Sequence, residues 1–121
     1  MIPEKTVNLQ QHPIQDEEYV QSCKAQLDST GALVMEFFLS ADTIESLQDE
    51  AREVRPLAYF CHQNHNAYLL DSDASFPEEH IRNLEQVSDK GCVPHDQIPD
   101  DSPLRTLYEW SDFRVFLESV L

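Results

Sequence analysis

The chain has 121 residues, a length that fits one domain, and its 23 Asp+Glu against 8 Lys+Arg give a net charge of −15. So negative a chain repels phosphate backbones and anionic lipid, which argues against nucleic-acid and membrane partners. Only two glycines are present, where average usage would give roughly eight, so neither a Walker loop nor a dinucleotide fingerprint can be written.

The N-terminus, Met1-Ile2-Pro3-Glu4-Lys5, lacks a basic segment followed by an apolar run, so no signal peptide is expected. No window approaches the ~18 apolar residues of a bilayer span. Cys23, Cys61 and Cys92 are far apart and odd in number, the pattern of reduced thiols in a cytoplasmic protein.

Residues 1–15, with Pro3 and Pro13, read as a poorly ordered leader, and residues 16–121 as a single α+β domain or half-domain. Tyr19, Val20, Cys23 and Leu27 predict a helix over Asp16–Ser29, with acidic residues in its first turn and Gly31 closing it. The apolar run 32–38 predicts a strand. A second helix starts at Ser40, capped by an Asp42/Glu45 box or by Ser40 itself, and carries Ile44, Leu47, Ala51 and Val54 on one face until Pro56 ends it.

Residues 57–66 are rich in aromatics and histidines, 67–70 predict a second strand, and Pro77–Leu84 predict a short helix. Residues 88–103, with three prolines, a glycine and four aspartates, read as a loop. Ser102-Pro103 then opens a helix by the cap-plus-proline rule, with an interruption at Trp110-Ser111-Asp112. Phe113, Phe116, Leu117, Val120 and Leu121 continue its apolar stripe to the last residue. Such an ending predicts a packing partner: the rest of a larger domain, a second copy, or another protein.

Cys61, His62 and His65 form the densest group of metal-capable side chains; the alternative is a solvated loop, since HxxH spacing alone lacks a third and fourth ligand. A non-haem iron site needs two histidines and a carboxylate. None of the five histidines is followed two positions later by Asp or Glu, so no facial triad is expected. No nucleophile elbow is present either. Arg82, close to His80, is one of few cations, and its fork suits a carboxylate. The competing reading pairs it with Glu78 or Glu85 along a helix.

Five stretches carry a resemblance when taken in order. They are Gly31-Ala32-Leu33-Val34, Ala67-Tyr68-Leu69-Leu70-Asp71, Pro77-Glu78-Glu79-His80-Ile81-Arg82, Asp96-Gln97-Ile98-Pro99, and Ser102-Pro103-Leu104-Arg105-Thr106-Leu107-Tyr108-Glu109-Trp110 leading to Phe113 and Phe116-Leu117. Together they resemble the N-terminal half of Fe(II)/2-oxoglutarate-dependent oxygenases of the ArpA and HalD/BesD type, which hydroxylate or halogenate amino acids or small metabolites on a double-stranded β-helix.

The resemblance spans about residues 15–121, and its most specific part is the stretch from Ser102 to Trp110. It implies an α+β fold of helices packed on a small sheet, the N-terminal part of a jelly roll whose barrel is incomplete here. Fe(II) and 2-oxoglutarate would belong to a full-length relative, whose His-x-Asp or His-x-Gly lies beyond this chain. The family's His-Pro-Arg becomes His80-Ile81-Arg82, so by position Arg82, with His80, would help hold a substrate carboxylate; Arg105 would be structural. The expected function is that of an oxygenase portion inactive alone. The alternative is a stand-alone acidic binding module or inhibitor that uses its C-terminal apolar helix.

Overall fold

The computed structural model describes residues 5–121; the first four residues of the expected leader lie outside the described residues. The fold is α+β. Among the described residues, four α-helices, α1 (Glu17–Thr30), α2 (Ala41–Val54), α3 (Pro103–Glu109) and α4 (Ser111–Val120), occur with two strands, β1 (Tyr59–His65) and β2 (Gln86–Cys92). The strands form an open antiparallel sheet that does not close into a barrel. The described residues divide into two compact units, 5–53 with 98–121, and 54–97.

The first unit is helical, and local chemistry sets its boundaries. Asp16 caps α1 by accepting from the Tyr19 amide at 2.9 Å. Gly31 ends it in the left-handed region at φ 75°, its amide reaching the Leu27 carbonyl at 2.8 Å. Ser40 caps α2 through the Thr43 amide at 3.2 Å. Ser102 caps α3, accepting from the amides of Leu104 and Arg105 at 3.1 and 3.3 Å, with Pro103 at the first helical position. Its hydroxyl also donates to Glu50 Oε1 at 2.7 Å, which ties α3 to α2.

The core of this unit is Ile14, Cys23, Phe116 and Val120, surrounded by Tyr19, Val20, Leu33, Met35, Phe38, Trp110 and Phe113. The rings stack in sequence: Trp110 on Phe113 (centroids 6.3 Å apart), Phe113 on Phe116 (6.4 Å), and Phe116 on Tyr19 (6.4 Å). Residues from the stretch read as a leader take part. Thr6, Val7, His12 and Ile14 are buried.

His12 contacts the Tyr19 hydroxyl through Nδ1 and the Glu36 carbonyl through Nε2, both at 2.7 Å. A carbonyl only accepts, so Nε2 carries the proton and Nδ1 receives the tyrosine hydroxyl. Burial, reinforced by Cys23, pushes the Tyr19 hydroxyl up to about 12, so it keeps its proton.

The predicted strand over 32–38 does not form. Leu33, Met35 and Phe38 turn inward onto the helical core, and the chain makes a turn from Met35 to Phe38 (3.2 Å) with Phe37 at φ 58°. Among the described residues of this unit, extended pairing is one bridge between Val7 and Leu39. The run is apolar because it covers α1 and α4, not because a ladder awaits it. The expected interruption falls at Trp110, which occupies the cap position of α4 with no side-chain capping bond.

The C-terminal stripe is split. Phe116 and Val120 are sealed inside. Leu117 and Leu121 each follow a buried residue by one step, about 100° round the helix; Leu117 is partly exposed and Leu121 is 84 % exposed.

Replacing Ser102 by Ala removes the α3 cap and takes a hydrogen-bond donor from the partly exposed Glu50 carboxylate. The expected loss is about 1–2 kcal/mol, read by chemical denaturation against the parent.

Candidate functional site

The second unit is built on the ladder that pairs Tyr59–His65 with Gln86–Cys92. Phe60 opposes Gly91, and its ring lies where a Cβ on that glycine would be, at 2.6 Å. Glycine lets the aromatic cover the strand at that point. His65 opposes Gln86, so the ladder brings together the two ends of the segment 66–85.

That segment is shaped by side chains that satisfy backbone groups. Asn66 is buried; its carbonyl oxygen accepts from the amides of Tyr68 (3.0 Å) and Leu70 (3.3 Å), and its amide donates to the Leu70 carbonyl at 2.6 Å. This Asx geometry, with Leu69 at φ 57°, replaces the strand expected over 67–70. Asn83 is also buried. It accepts from the Asp73 amide at 2.8 Å, and its own amide lies 3.0–3.3 Å from the carbonyls of Asp73, Phe76 and Pro77. Residues 77–84 are successive turns rather than the expected short helix.

Arg82 stands at the centre of this loop. Its guanidinium carbon lies 4.6 Å from the Tyr68 ring centroid and 5.4 Å from that of Phe76. Its Nε reaches Asp73 Oδ2 at 3.2 Å. The expected partners Glu78 and Glu85 are not used, because without a helix their i−4 and i+3 spacings no longer place them beside Arg82. Each cation–π contact of this kind is worth about 0.5–1 kcal/mol near the surface.

The Nη edge of the fork has no partner among the described residues. His80 sits in the same cluster, 4.7 Å from the Phe76 ring, its Nδ1 accepting from the Arg82 amide at 3.1 Å. Thus Arg82 and His80 converge, and Tyr68, Asp73, Phe76 and Asn83 complete the group. The aromatic and carboxylate partners were missed because their contacts depend on the Asx turns; the buried asparagines were the available signal.

Ser75, through its hydroxyl and its amide, holds the Asp73 carboxyl below the usual carboxylate range, with a smaller contribution from the charge of Arg82. Beside Asn83 a hollow of about 560 Å³ is lined by Ser72, Glu78, Glu79, Leu84 and Glu85. A cationic fork and an acidic hollow therefore occupy the same loop.

Cys61, His62 and His65 do not converge. Side chains alternate along a strand, so Cys61 and His65 share one face and His62 takes the other, where it bonds the opposing Asp89. His65 Nδ1 instead lies 3.1 Å from the Asn66 carbonyl. Among the described residues no three His, Cys, Asp or Glu side chains gather as metal ligands. The described residues thus do not fit an Fe(II) centre, and no step through iron or 2-oxoglutarate is derived. Arg105 belongs to the helical unit, where it pairs with Asp100.

The chain matches no protein-family model, no curated protein and no solved structure. No helix among the described residues is long and apolar enough to cross a membrane.

Asp73 contributes stability above the ordinary aspartate range and loses it as pH falls through its lower folded value. Carboxyl-carbon NMR should place its midpoint below about 3.9, and Ser75→Ala should move that midpoint upward; an unchanged midpoint would contradict the assignment.

Proposed function

We propose that the chain is the N-terminal portion of an Fe(II)/2-oxoglutarate oxygenase-like protein acting on an amino acid or small metabolite. In this reading it is a cytoplasmic protein whose iron ligands lie in a C-terminal jelly-roll half, its partner. Its part would be one wall of the substrate pocket, and it would not catalyse oxidation alone. The carrying observation is the Arg82 cluster. Tyr68 and Arg82 come from two separate stretches of the resemblance, yet they stack together and leave the Nη edge of the fork open.

The neighbouring hollow supports an amino acid over a simple acid. Glu78, Glu79 and Glu85 offer charge for an ammonium in the same loop as a fork suited to a carboxylate. Arg82 and His80 are therefore assigned to substrate binding.

Titrating the chain with free amino acids while following the Arg82 Nε–H resonance tests this reading. A saturable shift is expected, weakened at least tenfold in Arg82→Gln, in line with ~1.5–3 kcal/mol for a charged hydrogen bond. An Arg82 signal indifferent to every amino acid contradicts it.

A second reading is favoured by the C-terminal face. Tyr108 and Leu121 are 82 % and 84 % exposed, and Leu117, one turn before Leu121, lines a surface hollow together with Tyr108. An acidic binding module would use this face to dock on a basic partner or on a second copy. Light scattering separates the alternatives: a monodisperse monomer at all concentrations opposes self-association, and a concentration-dependent dimer abolished by Leu121→Glu supports it.

A further inference from the structure

The β1–β2 register places two thiols on one face of the sheet. Opposed residues in an antiparallel ladder point to the same side. Cys61 opposes Lys90 and Cys92 opposes Tyr59. The two cysteines are therefore diagonal neighbours on the face that also carries Tyr59 and Lys90. Both are free, Cys61 half-buried and Cys92 exposed, whereas Cys23 is buried in the helical unit.

The spacing selects the chemistry. Diagonal neighbours lie roughly 7–8 Å apart, whereas a disulfide needs Cα atoms about 4.4–6.8 Å apart. A sulfur–metal–sulfur bridge is longer: two bonds of about 2.3 Å set the sulfurs roughly 4.6 Å apart. Tetrahedral zinc would require two more ligands, and no group of three His, Cys, Asp or Glu occurs among the described residues. His62 lies on the opposite face. His65 shares the face but stands four residues from Cys61, roughly 13 Å along the strand.

We propose that Cys61 and Cys92 form a two-coordinate site for a soft, thiophilic monovalent cation of the copper(I) class. Thiolates select soft ions of this kind. On binding, both S–H bonds give their protons to solvent, two metal–sulfur bonds form, and nothing is oxidised or reduced. The resulting bis-thiolate unit carries one negative charge, and Lys90, directly opposite Cys61, places an ammonium on the same face. Cys61 was singled out by the sequence with His62 and His65; the register replaces both histidines with a cysteine 31 positions away.

The test is an anaerobic titration of the reduced full chain with copper(I) buffered by a competing chelator, followed by thiolate-to-copper absorption. One equivalent should bind. Affinity should fall at least tenfold in Cys61→Ser and in Cys92→Ser, and should be unchanged in His62→Ala and His65→Ala. Either serine variant binding as tightly as the parent overturns the proposal, as does dependence on either histidine. X-ray absorption on the unsubstituted chain needs no variant to fold. Two sulfur ligands are expected, and an imidazole nitrogen shell overturns the site.

Discussion

The pairing of Tyr59–His65 with Gln86–Cys92 is the constraint on which the arrangement of residues 54–97 depends. A two-stranded ribbon is marginal by itself. Here it holds the ends of a loop whose interior is fixed by Asn66 and Asn83, each buried and each bonded to several backbone groups. Because side chains alternate with period two, a slip of one residue would carry Cys92 to the other face and separate Phe60 from Gly91. The Phe60 ring lying over Gly91 is thus a register mark as well as a contact.

The helical unit obeys a different constraint. Its interior is an aromatic stack from Trp110 to Tyr19, closed at one side by His12. One imidazole links α1 to the turn at Glu36, so the stretch before α1, the helix and the apolar run after it form one layer. Removing the ring would take one partner from the Tyr19 hydroxyl and one from the Glu36 carbonyl, which keeps Gln11 Nε2 at 3.1 Å. The loss of such part-buried hydrogen bonds, about 0.5–1.5 kcal/mol each, exceeds the cost of most surface changes.

Legibility followed the range of the interactions. The boundaries of α1 and α3 depend on Asp16, Gly31, Ser102 and Pro103, residues that act within four positions of themselves, and they could be read directly. The two strands could not. Gln86-Val87-Ser88-Asp89-Lys90-Gly91-Cys92 has weak strand propensity and is extended because β1 lies beside it. The apolar run 32–38 and residues 67–70 had the opposite fate: they look like strands, but helix packing and the Asn66 side chain gave their backbones other uses. Arg82 and His80 were legible as residues; their aromatic and carboxylate surroundings were not, since Tyr68 and Asp73 reach Arg82 only through those turns.

Both functional proposals therefore rest on long-range geometry in residues 54–97, one on the loop that the ladder closes and one on the face of the ladder itself. The most direct measurement is a set of nuclear Overhauser contacts across the sheet in the reduced chain. The account predicts contacts from the Phe60 ring to the Gly91 α-protons, with those protons shifted upfield by the ring, together with contacts between His62 and Asp89. Phe60 contacting Lys90 or Cys92 in place of Gly91 would mean a slipped register and would contradict it.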